Sequence, residues 1–269
     1  MADGFALADI APFRGGRGIL RLGLGAVTEQ SWRDVGPELA ARTAAKAPIF
    51  DAAPESLLAL PEAAPAIIEL AALIGAATPD LRGAALACYE DLCLLLPSGD
   101  AHILVAGAVA FPTDWRLDTK IGHPLTAIHA PIPNYAAKLS AGVDHVFANL
   151  MPGRLLARAN WNVLESGALR YLPDRPALQR FDDVTAANAG DTLFIRVERQ
   201  VLRRLPASGA ALFTIGVYVE PLRLLQASLV ADLALAVHAV AGEEAIRRGT
   251  PAYREALAAY ASALPGSAV

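Results

Sequence analysis

The sequence is poor in cysteine, because Cys88 and Cys93 are the only two among 269 residues. A disulfide framework, a four-thiolate zinc site and an iron–sulfur cluster all need more thiols than this. The C-x-x-C-H attachment site of a c-type haem is missing as well. Since free cysteine is often buried, we expect both side chains to pack in the core.

Long hydrophobic runs are also missing, although 54% of the residues are hydrophobic and the mean hydropathy is +0.37. The two most apolar segments, 67–80 and 228–244, are interrupted by Glu69 and by Asp232 before they reach the roughly 20 residues of a membrane-spanning helix. The N-terminal "MADGFALADIAPF" has no basic start and no secretory pattern. We therefore expect a cytoplasmic protein without a membrane-spanning segment.

An excess of positive charge is absent too. The formal net charge is −4 and the pI is about 5.7, so no general positive field attracts nucleic acid or anionic lipid. Phosphate-binding motifs are not found: "GLGAVT" lacks the third glycine of G-x-G-x-x-G, and G-x-x-x-x-G-K-[ST] does not occur. We expect neither a nucleic acid partner nor a nucleotide bound at this loop.

The hydrophobic pattern predicts a sheet in the middle of the chain. From residue 101 onward, four segments are apolar throughout or alternate with a two-residue period, as strands do. They are 101–112, 155–165, 192–202 and 209–221. Strands joined by short connections, with helical segments on either side, predict an α+β fold with a mainly antiparallel sheet and flanking helices.

Helical patterns occupy the rest of the chain. Helices are predicted at 28–46, 61–78, 79–96, 134–149, 220–240 and 250–263. Asn134 is the expected cap of the fourth of these. We expect a single domain over residues 1–269, with an N-terminal helical and loop region (1–78), a core (79–225) and C-terminal helices (226–269).

Polar side chains stand on two of the predicted strands. Arg196 and Glu198 share the face opposite Leu193, Ile195 and Val197, and they either line a pocket or face water as a surface ion pair. On the other strand, Arg158, Asn160 and Asn162 alternate with apolar residues. This pattern fits a lined cavity or a hydrogen-bonded sheet face, and it does not distinguish the two.

One histidine has unusual surroundings. His129 lies in "AIHAPIPNY", a stiff and mostly apolar stretch, where it is either a core histidine or a ligand. His123 and His145 are expected at the surface or at an interface. Neither the H-E-x-x-H spacing of zinc hydrolases nor a G-x-S-x-G nucleophile elbow is present.

Three segments together resemble the haem-dependent oxidative N-demethylase family, also known as a domain family of unknown function in bacteria and fungi. They are "FPTDWRLDTKIGHPLTAIHAPIPNY" (111–135), "ARANWNVLE" (157–165) and "LFIRVERQVLRRLPASGAALFTIGVYVEPL" (193–222). Family motifs found here in order read approximately F-P-S-x-W, I-H-x-P-V-P, R-x-N-W and R-x-E-R-Q. The resemblance covers about residues 80–225.

The resemblance implies an oxygenase subunit with a PAS-like fold and haem b. Such a subunit uses O2 to oxidise a secondary methylamine, such as dimethylamine, to a primary amine and formaldehyde. The histidine of I-H-x-P-V-P corresponds to His129, which the resemblance makes the proximal iron ligand. A neutral imidazole binds iron well, and Pro131 and Pro133 stiffen the segment that carries it.

The remaining site residues follow from what haem and an amine need. Haem carboxylates need cationic partners, for which the candidates are Lys120, Arg196, Arg199, Arg203 and Arg204. A dialkylammonium ion needs a carboxylate or an aromatic face. Glu198 is the candidate catalytic residue, as substrate anchor or proton relay, with a structural ion pair as the alternative. The candidates for substrate binding are Trp115, Asn160 and Trp161.

Oxygen activation consumes electrons, and this chain has neither a flavin or nicotinamide motif nor enough cysteine for a cluster. NADPH, flavin or iron–sulfur centres are therefore expected only in a separate reductase, and a homo-oligomer is compatible with the sequence. Two other hypotheses stay open. A PAS-like domain could be a haem-binding sensor without catalysis, because fold does not determine function, or a structural subunit that has lost haem.

Overall fold

The computed structural model describes residues 4–16, 23–133, 135 and 139–265. The strands of this part of the chain are β1 (Gly25–Val27), β2 (Leu57–Ala59), β3 (Asp91–Ser98), β4 (Ala101–Ala108), β5 (Leu155–Leu164), β6 (Phe194–Arg204) and β7 (Ala211–Pro221). They form one antiparallel sheet in the order β1-β5-β6-β7-β3-β4-β2. Both edge strands are only three residues long, which limits edge-to-edge association.

Helices precede, interrupt and follow the strands. The α-helices of the described residues are α1 (Leu7–Ile10), α2 (Leu39–Ala52), α3 (Ala64–Ile74), α4 (Leu81–Leu86), α5 (Leu125–Ile128), α6 (Ser140–Ala148), α7 (Ala189–Thr192), α8 (Ala227–His238), α9 (Gly242–Arg248) and α10 (Thr250–Ala263). Short 3-10 turns lie at Pro54–Ser56, Pro61–Ala63, Leu117–Thr119, Ala177–Gln179 and Leu222–Leu224. Within the described ranges, no helix has both the length and the apolar character needed to span a bilayer.

The described chain divides into two compact units. The first comprises the described residues within Met1–Phe5, Leu22–Arg158 and Arg199–Gly216. The second comprises those within Ala6–Arg21, Ala159–Glu198 and Val217–Val269. The boundaries between the units fall inside β5, β6 and β7.

The structure confirms the α+β class and all four predicted strands. The helix predicted over 79–96 is wrong in its second half, because α4 ends at Leu86 and β3 begins at Asp91. Residues 91–95 are all buried. A strand buried on both faces loses the two-residue alternation, and so cannot be told from a buried helix by pattern. The PAS-like fold and the single domain stay predictions.

Several predicted helices are shifted along the chain. The helix predicted at 28–46 lies at 39–52 and continues past Pro48, where buried Lys46 and Phe50 attach it to the core. The C-terminal helices are confirmed, although the first begins only at Ala227, after β7 and a 3-10 turn. In the predicted helix 134–149, α6 occupies 140–148, and Asn134 lies outside the described residues. Both cysteines are free and buried, as expected.

A hydrophobic core in the first unit supports the segment around His129. Leu104 of β4 and Leu202 of β6 belong to one buried cluster with Leu125 of α5 and Phe147 of α6. Burial of Leu125 fixes the start of the short helix that leads to His129. The histidine therefore lies on backbone that is attached directly to the core.

A single guanidinium secures the end of α6. Arg204 of β6 donates from Nε to the carbonyl of Leu150 (3.0 Å) and from Nη1 to the carbonyl of Gly209 (2.7 Å). Its Nη2 donates to the carbonyl of Phe147. Arg204 is one of the cations expected to bind haem carboxylates, but all three of its nitrogens serve backbone carbonyls here.

A fully buried lysine joins α2, α4 and β3 in the same unit. The Nζ atom of Lys46 donates to the carbonyls of Cys88 (2.8 Å), Glu90 (2.5 Å) and Ala85 (3.2 Å), and it lies 3.9 Å from a carboxylate oxygen of Asp91. Burial lowers the pKa of Lys46, and the charge of Asp91 opposes that shift. One ammonium group thus serves three carbonyls and lies near a carboxylate that also accepts from the backbone N–H groups of Ala110 and Phe111.

We expect Lys46→Met to destabilise the protein by about 3 kcal/mol, since it leaves a buried carboxylate without its cation and buried carbonyls without a donor. Urea unfolding measures this loss. The control is Arg82→Met, which breaks the surface pair between Arg82 and Asp51 (2.7 Å) and should cost less than about 1 kcal/mol. Equal losses in the two variants would contradict the account.

Candidate functional site

His129 is held at the C-terminal end of α5 by one carbonyl. Its backbone N–H lies 3.1 Å from the oxygen of Leu125, and its Nδ1 lies 2.8 Å from the same atom. Because a carbonyl only accepts, Nδ1 carries the proton and Nε2 keeps a lone pair in the ring plane. No described residue bonds to Nε2. Metal-binding histidines are usually oriented through the other ring nitrogen in this way.

The surroundings of His129 favour the neutral ring. Burial lowers the pKa of His129 from its ordinary value of 6.5, and the positive charges of Lys120 and Arg158 lower it further. The hydrogen bond to Leu125 raises the pKa of His129 and is second only to burial among these influences, but the pKa is lowered overall. A neutral imidazole is the form that binds a metal ion.

An aromatic ring covers one face of this imidazole. The rings of His129 and Tyr135 are stacked, with centroids 4.6 Å apart and planes inclined by 15°. Tyr135 is buried, and its hydroxyl has no hydrogen-bond partner among the described residues. Burial raises the pKa of Tyr135 to about 12, so the hydroxyl stays protonated near neutral pH.

Lys120 contacts the backbone next to His129. Its Nζ donates to the carbonyl of Ile128 (2.8 Å), the residue directly before the histidine. Burial lowers the pKa of Lys120. Among the described side chains, no carboxylate pairs with it. An ammonium group with two further donors is therefore present beside the histidine.

A second histidine of the same unit, His102, is buried, whereas His129 is partly buried. The side chain of His102 on β4 packs against Phe147 with ring centroids 5.3 Å apart, and its Nε2 is buried without a partner in the described chain. Burial lowers the pKa of His102, and the charge of Arg204 adds to that shift. Asp144 of α6 acts electrostatically on both His102 and Tyr135. Tyr135 of the same unit also has a buried polar atom without a described hydrogen-bond partner.

Two of the predicted arginines lie in the first unit but in a different cluster. Arg199 donates to the carbonyls of Ser31 and Trp32, and its guanidinium lies 4.0 Å from the ring centroid of Phe5. Arg203 forms a two-bond ion pair with Glu29, with both N–O distances 3.0 Å. None of the described contacts of His129 includes either arginine.

The pair Arg196 and Glu198 lies in the second unit. Arg196 is 1% exposed, donates to the carbonyl of Leu169 (2.7 Å) and lies 3.4 Å from a carboxylate oxygen of Glu198. The alternative of a water-facing strand surface is therefore wrong. Val197 on the other face is buried too, so β6 is covered on both sides at this point.

The three predicted substrate residues are divided between the units. Trp115 is partly buried against the core cluster that contains Leu125, in the first unit. Trp161, in the second, is 3% exposed, and its indole N–H is buried without a described partner. Its ring meets Phe13 edge-on at 5.7 Å. Asn160 is partly exposed on β5 and makes no side-chain hydrogen bond with the described residues.

Sequence reasoning missed two neighbours of His129. Tyr135 closes the quoted stretch "AIHAPIPNY", but its spacing of six residues from His129 does not match a helical face, and the prolines at 131 and 133 argue against a regular strand. Arg158 was noted only as part of a polar strand pattern. Both are brought to His129 by the turn through Pro131 and Pro133 and by the position of β5, which no local pattern encodes.

The residues present fit haem better than a bare metal ion. Among the described residues, no group of three or more His, Cys, Asp or Glu side chains is arranged to hold a metal. Haem needs fewer ligands from the protein, because the porphyrin itself supplies four nitrogen ligands and a single histidine is enough to bind the iron. His129, with Nδ1 bonded and Nε2 available, meets that requirement.

The chain matches the model of a known protein family. The family described as "Haem-dependent oxidative N-demethylase, alpha subunit-like" matches residues 77–258, which is more than half of the chain. The match includes His129, Tyr135 and Glu198. It extends beyond the 80–225 predicted from the motifs and reaches into α10.

Because His102 is buried, we expect the stability of the protein to depend on pH. The pKa of His102 is lower in the folded chain than the ordinary 6.5, so in the interval between the two values the unfolded chain binds more protons and stability rises with pH. We expect stability to fall as pH decreases below about 6.5, and to fall less in His102→Leu. Urea unfolding at about pH 7.5 and about pH 5.5 measures the difference. The control is His123→Leu, which replaces an exposed histidine. If the free energy of unfolding changed with pH equally in His102→Leu and in the wild type, His102 would not be the source of the pH dependence.

Proposed function

Because this chain belongs to the haem-dependent oxidative N-demethylase, alpha subunit-like family, we propose that it binds haem b and demethylates a small secondary amine such as dimethylamine. The amine, O2, two electrons and two protons would give a primary amine, formaldehyde and water. The observation that carries this proposal is the bond from His129 Nδ1 to Leu125, which leaves Nε2 as a fixed, neutral ligand. Haem, when bound, would supply the activation of O2.

His129 is the proposed proximal ligand. Three features support this role: the ring is neutral, one nitrogen is anchored to the backbone, and the following segment contains Pro131 and Pro133. Proline limits backbone freedom, so a ligand on this segment loses little entropy when it binds. The PAS-like fold expected from the family belongs to the same proposal.

Lys120 is the proposed partner of a haem carboxylate. It uses one of its three donors for Ile128 and has no described carboxylate partner, so charge and hydrogen-bonding capacity remain for an anion. Arg196, Arg199 and Arg203 are weaker candidates, because each already donates to backbone carbonyls or to a glutamate. A cation already satisfied by the protein gains less from a new anion.

Glu198 is the proposed anchor or proton relay for the amine. Its side chain is 14% exposed, and its partner Arg196 keeps a positive charge beside the carboxylate. An ionised carboxylate stabilises a dialkylammonium ion, and the aromatic faces of Trp115 and Trp161 can do the same through cation–π contact. Asn160, which has no described side-chain bond, could accept from the ammonium group.

Electrons would come from a separate reductase that carries NADPH, flavin or iron–sulfur centres. The alpha-subunit description of the family supports a multi-subunit enzyme. The sequence adds a second reason, since it contains two cysteines and no dinucleotide motif. A homo-oligomer is compatible with this arrangement.

We expect His129→Ala to weaken haem binding by about 100-fold or more, because the variant removes the residue that would bind the iron. Added imidazole should restore part of the haem absorption spectrum by replacing the missing ring. The control is His145→Ala, an exposed histidine on α6, which should bind haem like the wild type. A His129→Ala protein with the wild-type spectrum would exclude this histidine as the ligand.

We expect Glu198→Gln to keep haem but to lower formaldehyde formation from dimethylamine by about 100-fold, since the amide carries no charge and cannot relay a proton. The assay contains a surrogate reductase, without which even the wild type should be inactive. Glu220→Gln on β7 is the control and should keep activity. If Glu198→Gln lost haem, Glu198 would be a structural residue. If the haem spectrum of the wild-type protein changed on addition of amine but no formaldehyde formed, the protein would be a sensor.

A further inference from the structure

Tyr135 and His129 are connected by a continuous series of backbone hydrogen bonds. The N–H of Ile132 donates to the carbonyl of His129 (2.9 Å), and the N–H of Tyr135 donates to the carbonyl of Ile132 (3.1 Å). The carbonyl of Tyr135 in turn accepts from the N–H of Leu139 (2.8 Å). The turn therefore fixes the spacing between the two aromatic rings.

The two contacts of the His129 ring constrain different motions. A hydrogen bond from Nδ1 fixes the direction of that nitrogen but tolerates tens of degrees of tilt. The near-parallel stack with Tyr135, inclined by 15°, opposes that tilt because it would drive one ring into the other. The stack covers the ring face and not the in-plane lone pair of Nε2.

We infer that Tyr135 is a positioning residue, whose ring sets the plane of the His129 imidazole. This inference rests on the proposed function, in which Nε2 of His129 binds the haem iron. The plane of an axial imidazole determines how its orbitals meet those of the iron, and groups around a ligand that fix its orientation tune the metal. Tyr135 would act on the iron only through His129.

The hydroxyl of Tyr135 is not needed for this role. It is buried and has no hydrogen-bond partner among the described residues, so its removal breaks no described bond. Tyr135→Phe keeps the stacked ring and is therefore a matched control for Tyr135→Leu, which removes it. Tyr135→Met offers a second ring-free variant of flexible shape should the leucine variant fail to fold.

The first readout uses the full chain without haem. A stacked aromatic ring shields the protons of its neighbour, so the His129 ring protons should resonate upfield in the wild type and in Tyr135→Phe. They should move toward ordinary positions in Tyr135→Leu or Tyr135→Met. Unchanged shifts in the ring-free variants would overturn the stack itself.

The second readout uses the haem-loaded chain. We expect the iron–histidine band in the resonance Raman spectrum to shift or broaden in Tyr135→Leu, and haem transfer to a scavenging apoprotein to accelerate about three- to tenfold. Tyr135→Phe should match the wild type in both measurements. A wild-type band and rate in Tyr135→Leu, or equal changes in Tyr135→Phe and Tyr135→Leu, would overturn the inference alone. A wild type without an iron–histidine band would overturn the proposed function as well.

Discussion

The hydrogen bond between His129 Nδ1 and the carbonyl of Leu125 is the constraint on which the candidate site depends. It decides which ring nitrogen carries the proton, and so which one is left to bind a metal ion. Leu125 belongs to the buried core of the first unit, so the carbonyl that holds the histidine is itself fixed by packing. Core formation and ligand orientation are thus two consequences of the same short helix.

Several long cationic side chains in this protein donate hydrogen bonds to backbone carbonyls. Lys46, Arg204 and Lys120 each direct nitrogens at backbone carbonyls near the ends of helices or strands. A helix leaves its last carbonyls without partners, and a flexible cation can reach them where no N–H is available. Lys46 and Arg204 serve several carbonyls each, whereas Lys120 serves one and keeps donors for an anion. That difference separates structural cations from a candidate ligand-binding one.

The sequence predicted the sheet class, the main strands and His129 as the unusual histidine, because two-residue alternation and a proline-rich motif are local signals. The strand β3 was not predicted, because burial on both faces removes the alternation of apolar and polar residues that identifies a strand. Two further features were not predicted, for another reason: Tyr135, and the Nε2 atom of His102, which has no hydrogen-bond partner among the described residues. Their roles depend on a turn and on neighbours from α6, and such contacts have no periodic trace in the sequence. The sequence also could not reveal the partners of two β6 arginines, because charge alone does not show that Arg203 pairs with Glu29 and that Arg199 donates to the carbonyls of Ser31 and Trp32.

We conclude that the neutral ring of His129 is protonated on Nδ1 and unprotonated on Nε2 before any cofactor binds. Long-range 1H–15N NMR of the histidine rings in the haem-free protein at about pH 7 measures this directly. The account predicts a protonated Nδ1 and an Nε2 shift typical of an unprotonated nitrogen for His129. A ring protonated on Nε2, or on both nitrogens, would contradict it.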